Sequence, residues 1–150
     1  MHRHAIIWFV LVDGAKTRIL RCRSSDPDGI EVVLEEDSRE AELRAHDLVT
    51  DRPGRSYESA SPLRHAVGGP DPHEAAMERF EAGVADIIDR AASQDRFDGL
   101  VLVAPPRVLG RMRQALGARA RERLILEEGK DLLGLPDAEL KSRLSALVAP

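Results

Sequence analysis

The chain has 150 residues, with 22 Lys and Arg against 26 Asp and Glu, a formal net charge of -4, and 43% hydrophobic and 32% charged residues. That apolar fraction excludes a long disordered chain, and the length fits one domain burying roughly 70% of its unfolded surface. A single cysteine, Cys22, excludes a disulfide framework and a cysteine-based zinc site, while 3% aromatic residues argue against a stacking platform for single-stranded nucleic acid.

Ala5 to Val12 is a continuous apolar run rich in β-branched and aromatic residues, which reads as a strand buried on both faces. It is far shorter than the ~20 residues a membrane span needs. No small-x-small cleavage site follows it, so the run reads as a first strand of a cytoplasmic protein rather than a secretory signal. Asp13-Gly14 supplies a hairpin turn, and Thr17 to Cys22 a second strand. Asp26-Pro27-Asp28-Gly29 is a further turn signal, and Ile30 to Glu35 a third strand. Three such strands make an antiparallel meander. From about Arg39 to Pro70 no period holds, and Pro53, Gly54, Pro62, Gly68, Gly69 and Pro70 punctuate the stretch. Structureless loops beyond ~15 residues are uncommon in compact domains and are usually functional or disordered.

Asp71-Pro72-His73-Glu74 opens a helix: Asp71 caps, Pro72 suits the first position, and Glu74 lies three residues after the cap. Ala76, Phe80, Val84, Ile87, Ile88 and Ala91 fall on one face; Glu74, Glu78, Glu81 and Asp89 fall on the other, with the end near Ala92. Gly99 to Ala104 is a short apolar strand stopped by Pro105-Pro106. The next helix has Val108, Leu109, Met112, Ala115 and Leu116 on its core side and Arg107, Arg111 and Gln114 opposite. Arg123 to Glu128 is a fifth strand, and Pro136-Asp137-Ala138-Glu139 opens a last helix with Leu140, Leu144 and Leu147 inward. The order βββ-loop-αβαβα implies one α/β domain over residues 1–150. Its mixed five-stranded sheet, flanked by helices, matches a ribonuclease-H-like topology.

Charge is unevenly placed along the chain. Asp26 to Glu42 is acidic with Arg39 the sole cation, whereas Pro105 to Arg123 carries six arginines against Glu122 alone. Two-metal nuclease chemistry needs carboxylates converging at strand ends. Asp13 is suitably placed but reads as a turn residue, and the fourth strand ends in Ala104-Pro105-Pro106 without a carboxylate. His2, His4 and His73 lack partners at metal-ligand spacing, so neither a metal nor a cofactor is expected.

Two constellations fit anion binding. The first is the long loop, where Arg52 and Arg55 flank a Pro-Gly turn, Ser56 adds a neutral donor, Arg64-His65 follows, and Gly68-Gly69 forms the tip. Guanidinium groups suit phosphate because their planar fork donates two parallel hydrogen bonds. The second is the carboxyl edge of the parallel strands, where Arg107 and Arg111 begin a helix and Lys130-Asp131 follows the fifth strand. Ligands favour that edge, and helix N-termini favour anions. The competing reading packs the Arg107 stem on the sheet and pairs Lys130 with Asp131.

Taken in order, these stretches resemble the bacterial host attachment protein family. They are Trp8 to Ile19, Asp47 to Ser56, Arg64-His65, Asp71-Pro72 through Phe80, Leu100 to Arg107 with Leu109-Gly110, and Lys130-Asp131-Leu132. That family is similar to the central domain of archaeal and eukaryotic peptide release factors, which has a ribonuclease-H-like fold and carries a Gly-Gly-Gln loop before its long helix. The resemblance implies that Gly68-Gly69-Pro70 occupies the loop's place. Proline offers neither a side-chain amide nor a backbone N–H, which argues against release-factor hydrolysis here.

The expected function is therefore a non-enzymatic cytoplasmic module that binds a phosphate-bearing partner, RNA or the ribosome. Its contacts are Arg52, Arg55, Ser56, Arg64, His65, Arg107, Arg111, Lys130 and Asp131. One alternative is a hydrolase for an ester or phosphate substrate, with Asp131 or His65 as base and Arg107 as clamp. The other is a protein-interaction or attachment factor using an exposed sheet edge or the acidic strand region.

Overall fold

Residues 4–43 and 71–149 are described by the structure, a computed structural model. The first apolar run forms β1 (Ile6–Val12), and six of its seven residues are buried. An Asp13 turn leads to β2 (Lys16–Arg23) and a two-residue turn at Ser24-Ser25 to β3 (Asp26–Asp37). From residue 72 onward come α1 (Pro72–Ser93), β4 (Gly99–Val103), α2 (Pro106–Ala115), the short α3 (Ala118–Glu122), β5 (Leu124–Glu128) and α4 (Asp137–Val148).

The five strands form one sheet in the order β3-β2-β1-β4-β5. β1 and β2 pair antiparallel, as do β2 and β3; β4 lies parallel to both β1 and β5. This is the expected meander extended by two parallel strands, and it is compatible with a ribonuclease-H-like topology. Alternation along β1 feeds two cores. Trp8, Val10 and Val12 face a layer built by α1, α2 and α3, including Phe80, Ile88, Met112 and Ala120. Ile7, Phe9 and Leu11 face the opposite layer, closed by Leu132 and by Leu140 and Leu144 of α4. A central strand buried on both faces has no polar side to spare, which is why the run is continuous rather than alternating.

Four local expectations are corrected. The turn read at Asp26 to Gly29 lies inside β3, since Asp26 already pairs with Arg23. β3 is an edge strand, so Pro27 sacrifices no central ladder bond, and the register shift between Arg21 and Arg23 absorbs the irregular start. Residues 38–43 are helical, so the expected loop does not begin at Arg39; Asp37 accepts from the Glu40 N–H at 2.8 Å and starts that helix. Ala115 is exposed because α2 ends there and the chain turns away, leaving Leu116 to fill the core. Glu81, read as an outer-face residue, is 2% exposed.

The long-helix start forms as read. Asp71 caps α1 by accepting from the His73 N–H at 3.0 Å, and Pro72 takes the first position. At the far end, Arg123 satisfies the carbonyls of Ala92 and Phe97, both at 3.0 Å. It also pairs with Asp95 at 2.6 Å and holds that carboxyl below the usual carboxylate range by hydrogen bonding and charge.

Candidate functional site

Because β1, β4 and β5 run parallel, their carboxyl ends open on one edge of the sheet. Three turns meet there. After β1, Asp13 Oδ1 accepts from the N–H groups of Ala15 at 2.9 Å and Lys16 at 2.8 Å and so holds the hairpin. After β4, Pro105 caps α2 without a side-chain hydrogen bond, which leaves the first N–H groups of α2 without a capping side chain. After β5, a Cβ built on Gly129 would lie 3.8 Å from Pro106 Cγ and 3.9 Å from Leu109 Cδ2. The β5 exit therefore rests against the first turn of α2, and Lys130 follows directly.

The start of α1 roofs this edge. Gly14 has φ of +92°, and a Cβ there would sit 2.8 Å from Met77 Cε and 3.4 Å from Glu81 Oε2. Glycine serves both the backbone conformation and the close approach. Glu81 lies beneath that contact and is gripped by Arg111 from α2: Nε to Oε1 at 2.6 Å and Nη2 to Oε2 at 2.8 Å. The third guanidinium nitrogen, Nη1, reaches Glu74 Oε1 at 3.0 Å, and Arg107 Nη2 approaches the same oxygen at 3.3 Å. The result is a neutral network of two carboxylates and two guanidinium groups joining α1 to α2. Donating to the Glu81 carboxylate raises the Arg111 pKa above its already high value, against the opposing effect of burial.

The expected anion residues thus divide. Arg111 is on the edge but is committed to Glu81 and Glu74, with all three of its nitrogens engaged. Arg107 keeps 79% of its side chain exposed and has one long contact. Lys130 is 60% exposed and approaches Glu128 at 4.0 Å, so its weak partner is Glu128 rather than Asp131. Asp131 accepts from the Leu133 N–H at 3.2 Å and shapes the turn after β5. Arg52, Arg55, Ser56, Arg64, His65, Gly68 and Gly69 lie outside the described residues.

The arginine-rich stretch does not form one free basic face. Arg113 pairs with Glu127, Arg121 donates to the Gln114 carbonyl at 2.8 Å, and Arg123 closes the end of α1. Glu81 is the residue sequence reasoning missed. Its signal was its place on the stripe Glu81, Ala85, Ile88 and Ala92, all buried: a carboxylate on such a stripe requires a cationic partner. Among the described residues, no group of three or more His, Cys, Asp or Glu side chains is placed to hold a metal ion. No helix among them is long and apolar enough to cross a membrane.

Comparison with known proteins places the fold in context. Among solved structures the chain is similar to an archaeal translation termination factor, aRF1, with a TM-score of 0.50 and 12% identity. That match covers 95% of this chain and 39% of the termination factor, and at this identity it shows a shared fold alone. The type II variant of the Aquifex aeolicus Ppx/GppA phosphatase matches with a TM-score of 0.41 and 11% identity, over 83% of this chain and 35% of that one. A search of curated proteins found no match. The family described as "Protein required for attachment to host cells" matches residues 8–144, nearly the whole chain, and the protein belongs to that family.

Proposed function

We propose that the protein is a non-enzymatic module that binds a phosphate-bearing partner, RNA on or near the ribosome, through the carboxyl edge of its parallel strands. The observation that carries this reading is the placement of Arg107 in the first turn of α2 and of Lys130 directly after Gly129, which packs against that turn. Both are largely exposed, each has one weak contact, and no side chain caps the helix between them. Phosphate oxygens are recognised by such cations together with helix N–H groups. The release-factor-like fold supports a ribosomal partner by analogy of fold. Arg111 acts as a strut in this reading, since any anion would have to displace two carboxylates to reach it.

The test is RNA binding as a function of salt. Arg107→Ala and Lys130→Ala each lower the slope of log K against log salt by about one unit. Glu74→Gln removes the carboxylate opposite Arg107 and tightens binding. Binding that is absent, or that none of the three substitutions changes, refutes the proposal.

A further inference from the structure

The α1 face of the sheet carries a second feature. On the α1 face of the sheet, α1 leaves part of β2 and β3 uncovered. A groove of about 410 Å³ runs there, walled by Trp8, Ile19, Val33, Leu34 and Ile87. It exists because the register shift between Ile19 and Leu20 pushes Val33 out of the ladder: Ile19 faces Leu34, Leu20 faces Val32, and Val33 is left 36% exposed beside the opening.

The groove has polarity. Arg96 lines one end, two residues before Asp98, whose carboxylate accepts from the Ile6 N–H at the start of β1. Glu36 lines the other end, since it pairs with Thr17, which pairs with Val12 at the end of β1. Arg90 also lines the groove but is held by Asp86 at 2.7 Å, whereas Arg96 is exposed and makes no ion pair among the described residues. Trp8, one of the wall residues, is 3% exposed, and its Nε1 has no hydrogen-bond acceptor among the described residues. A buried donor without an acceptor is uncommon and costly.

We infer that this groove binds a small anionic amphiphile, an alkyl chain ending in a carboxylate. The chain lies against Ile19, Leu34 and Ile87, and the carboxylate faces Arg96, away from Glu36. The volume falls in the range of small-molecule sites. The site is separate from Arg107 and Lys130, which follow the carboxyl ends of their strands, whereas Arg96 precedes the amino end of β4. The two proposals therefore stand or fall independently.

Trp8 is the chain's one tryptophan, so its emission reports occupancy without a label. Titration of the full chain with decanoate, below its micelle concentration, produces a saturable change in Trp8 emission. Decylammonium, with the same chain and the opposite head, binds at least tenfold more weakly. Arg96→Ala weakens decanoate at least tenfold, and Arg143→Ala, an exposed control on α4, leaves it unchanged. No saturable change with decanoate, equal binding of the two head groups, or an Arg96→Ala variant that binds as tightly as the parent overturns the inference.

Discussion

Arg111→Met is the sharpest perturbation of the link between α1 and α2. It leaves the Glu81 carboxylate, whose side chain is 3% exposed, without either of its two short hydrogen bonds. Breaking a buried pair from one side costs about 3–5 kcal/mol, because the remaining charge is neither solvated nor compensated. For a chain of this length each kcal/mol lowers Tm by roughly 2–4 °C, so a loss of about 4 kcal/mol moves it by roughly 8–16 °C. Glu81→Leu costs less, about 1–3 kcal/mol, because Arg111 keeps Glu74 at 3.0 Å and its side chain is 23% exposed. The double variant Glu81→Leu/Arg111→Met removes both charges and recovers most of the stability, since a buried pair and a well-packed apolar pair are often equivalent. Urea denaturation of the four proteins, followed by far-UV circular dichroism, closes the cycle. If Arg111→Met costs under about 1 kcal/mol, or the two single losses simply add, the pair is not the coupled strut described here.

The remaining predictions concern a buried thiol and a strained turn. Cys22 is pushed up from 9.0 to about 11, first by burial and then by the nearby Asp26 charge. At pH 8 its thiolate fraction is about a hundredfold below that of an ordinary thiol, so iodoacetamide labels the folded chain at least that much more slowly than the urea-unfolded chain. Comparable rates would contradict the placement. The sign of the pH effect follows: the raised folded pKa contributes stability that is fully present below pH 9.0 and lost as pH rises toward about 11, because the unfolded thiol ionises first. Gly14→Ala forces a side chain into positive φ and against Met77, and costs about 1–2 kcal/mol by urea titration. A neutral result would show that the turn relaxes without penalty.

Much of the fold was legible because its signals are local. The β1 run, the Asp13-Gly14 turn, the Asp71 cap and the Pro105-Pro106 stop each act within a few residues, and all four appear where the sequence puts them. The turn at Asp26 to Gly29 was misread because its residues suit a turn and an irregular edge strand equally; only the register against β2 decides between them. Glu81 was misread for a different reason. A carboxylate on a helix is ordinarily solvated, and its burial depends on Arg111, which lies 30 residues away in sequence and arrives only when α2 packs on α1. At the candidate site, the edge itself was legible from strand order. The division of labour among its cations was not, since it depends on which carboxylates reach them.

That division decides how the edge can work. Glu74 and Glu81 supply two negative charges, and Arg107 and Arg111 two positive ones, so the network is neutral before any ligand arrives. Asp13 and Asp131 each direct one carboxylate oxygen at backbone N–H groups within their own turns. The stiff half of the network, Glu81 with Arg111, is enclosed between α1 and α2. The soft half, Glu74 with Arg107, sits at the surface with a 3.3 Å contact that solvent weakens. Under the proposed function, an arriving phosphate would compete only for the soft half. Glu74 would then act as a weak internal competitor, raising the ligand concentration needed to engage Arg107, while Arg111 and Glu81 fix the helix on which Arg107 stands. Rigid support beneath a loosely held cation is what that proposed binding surface requires.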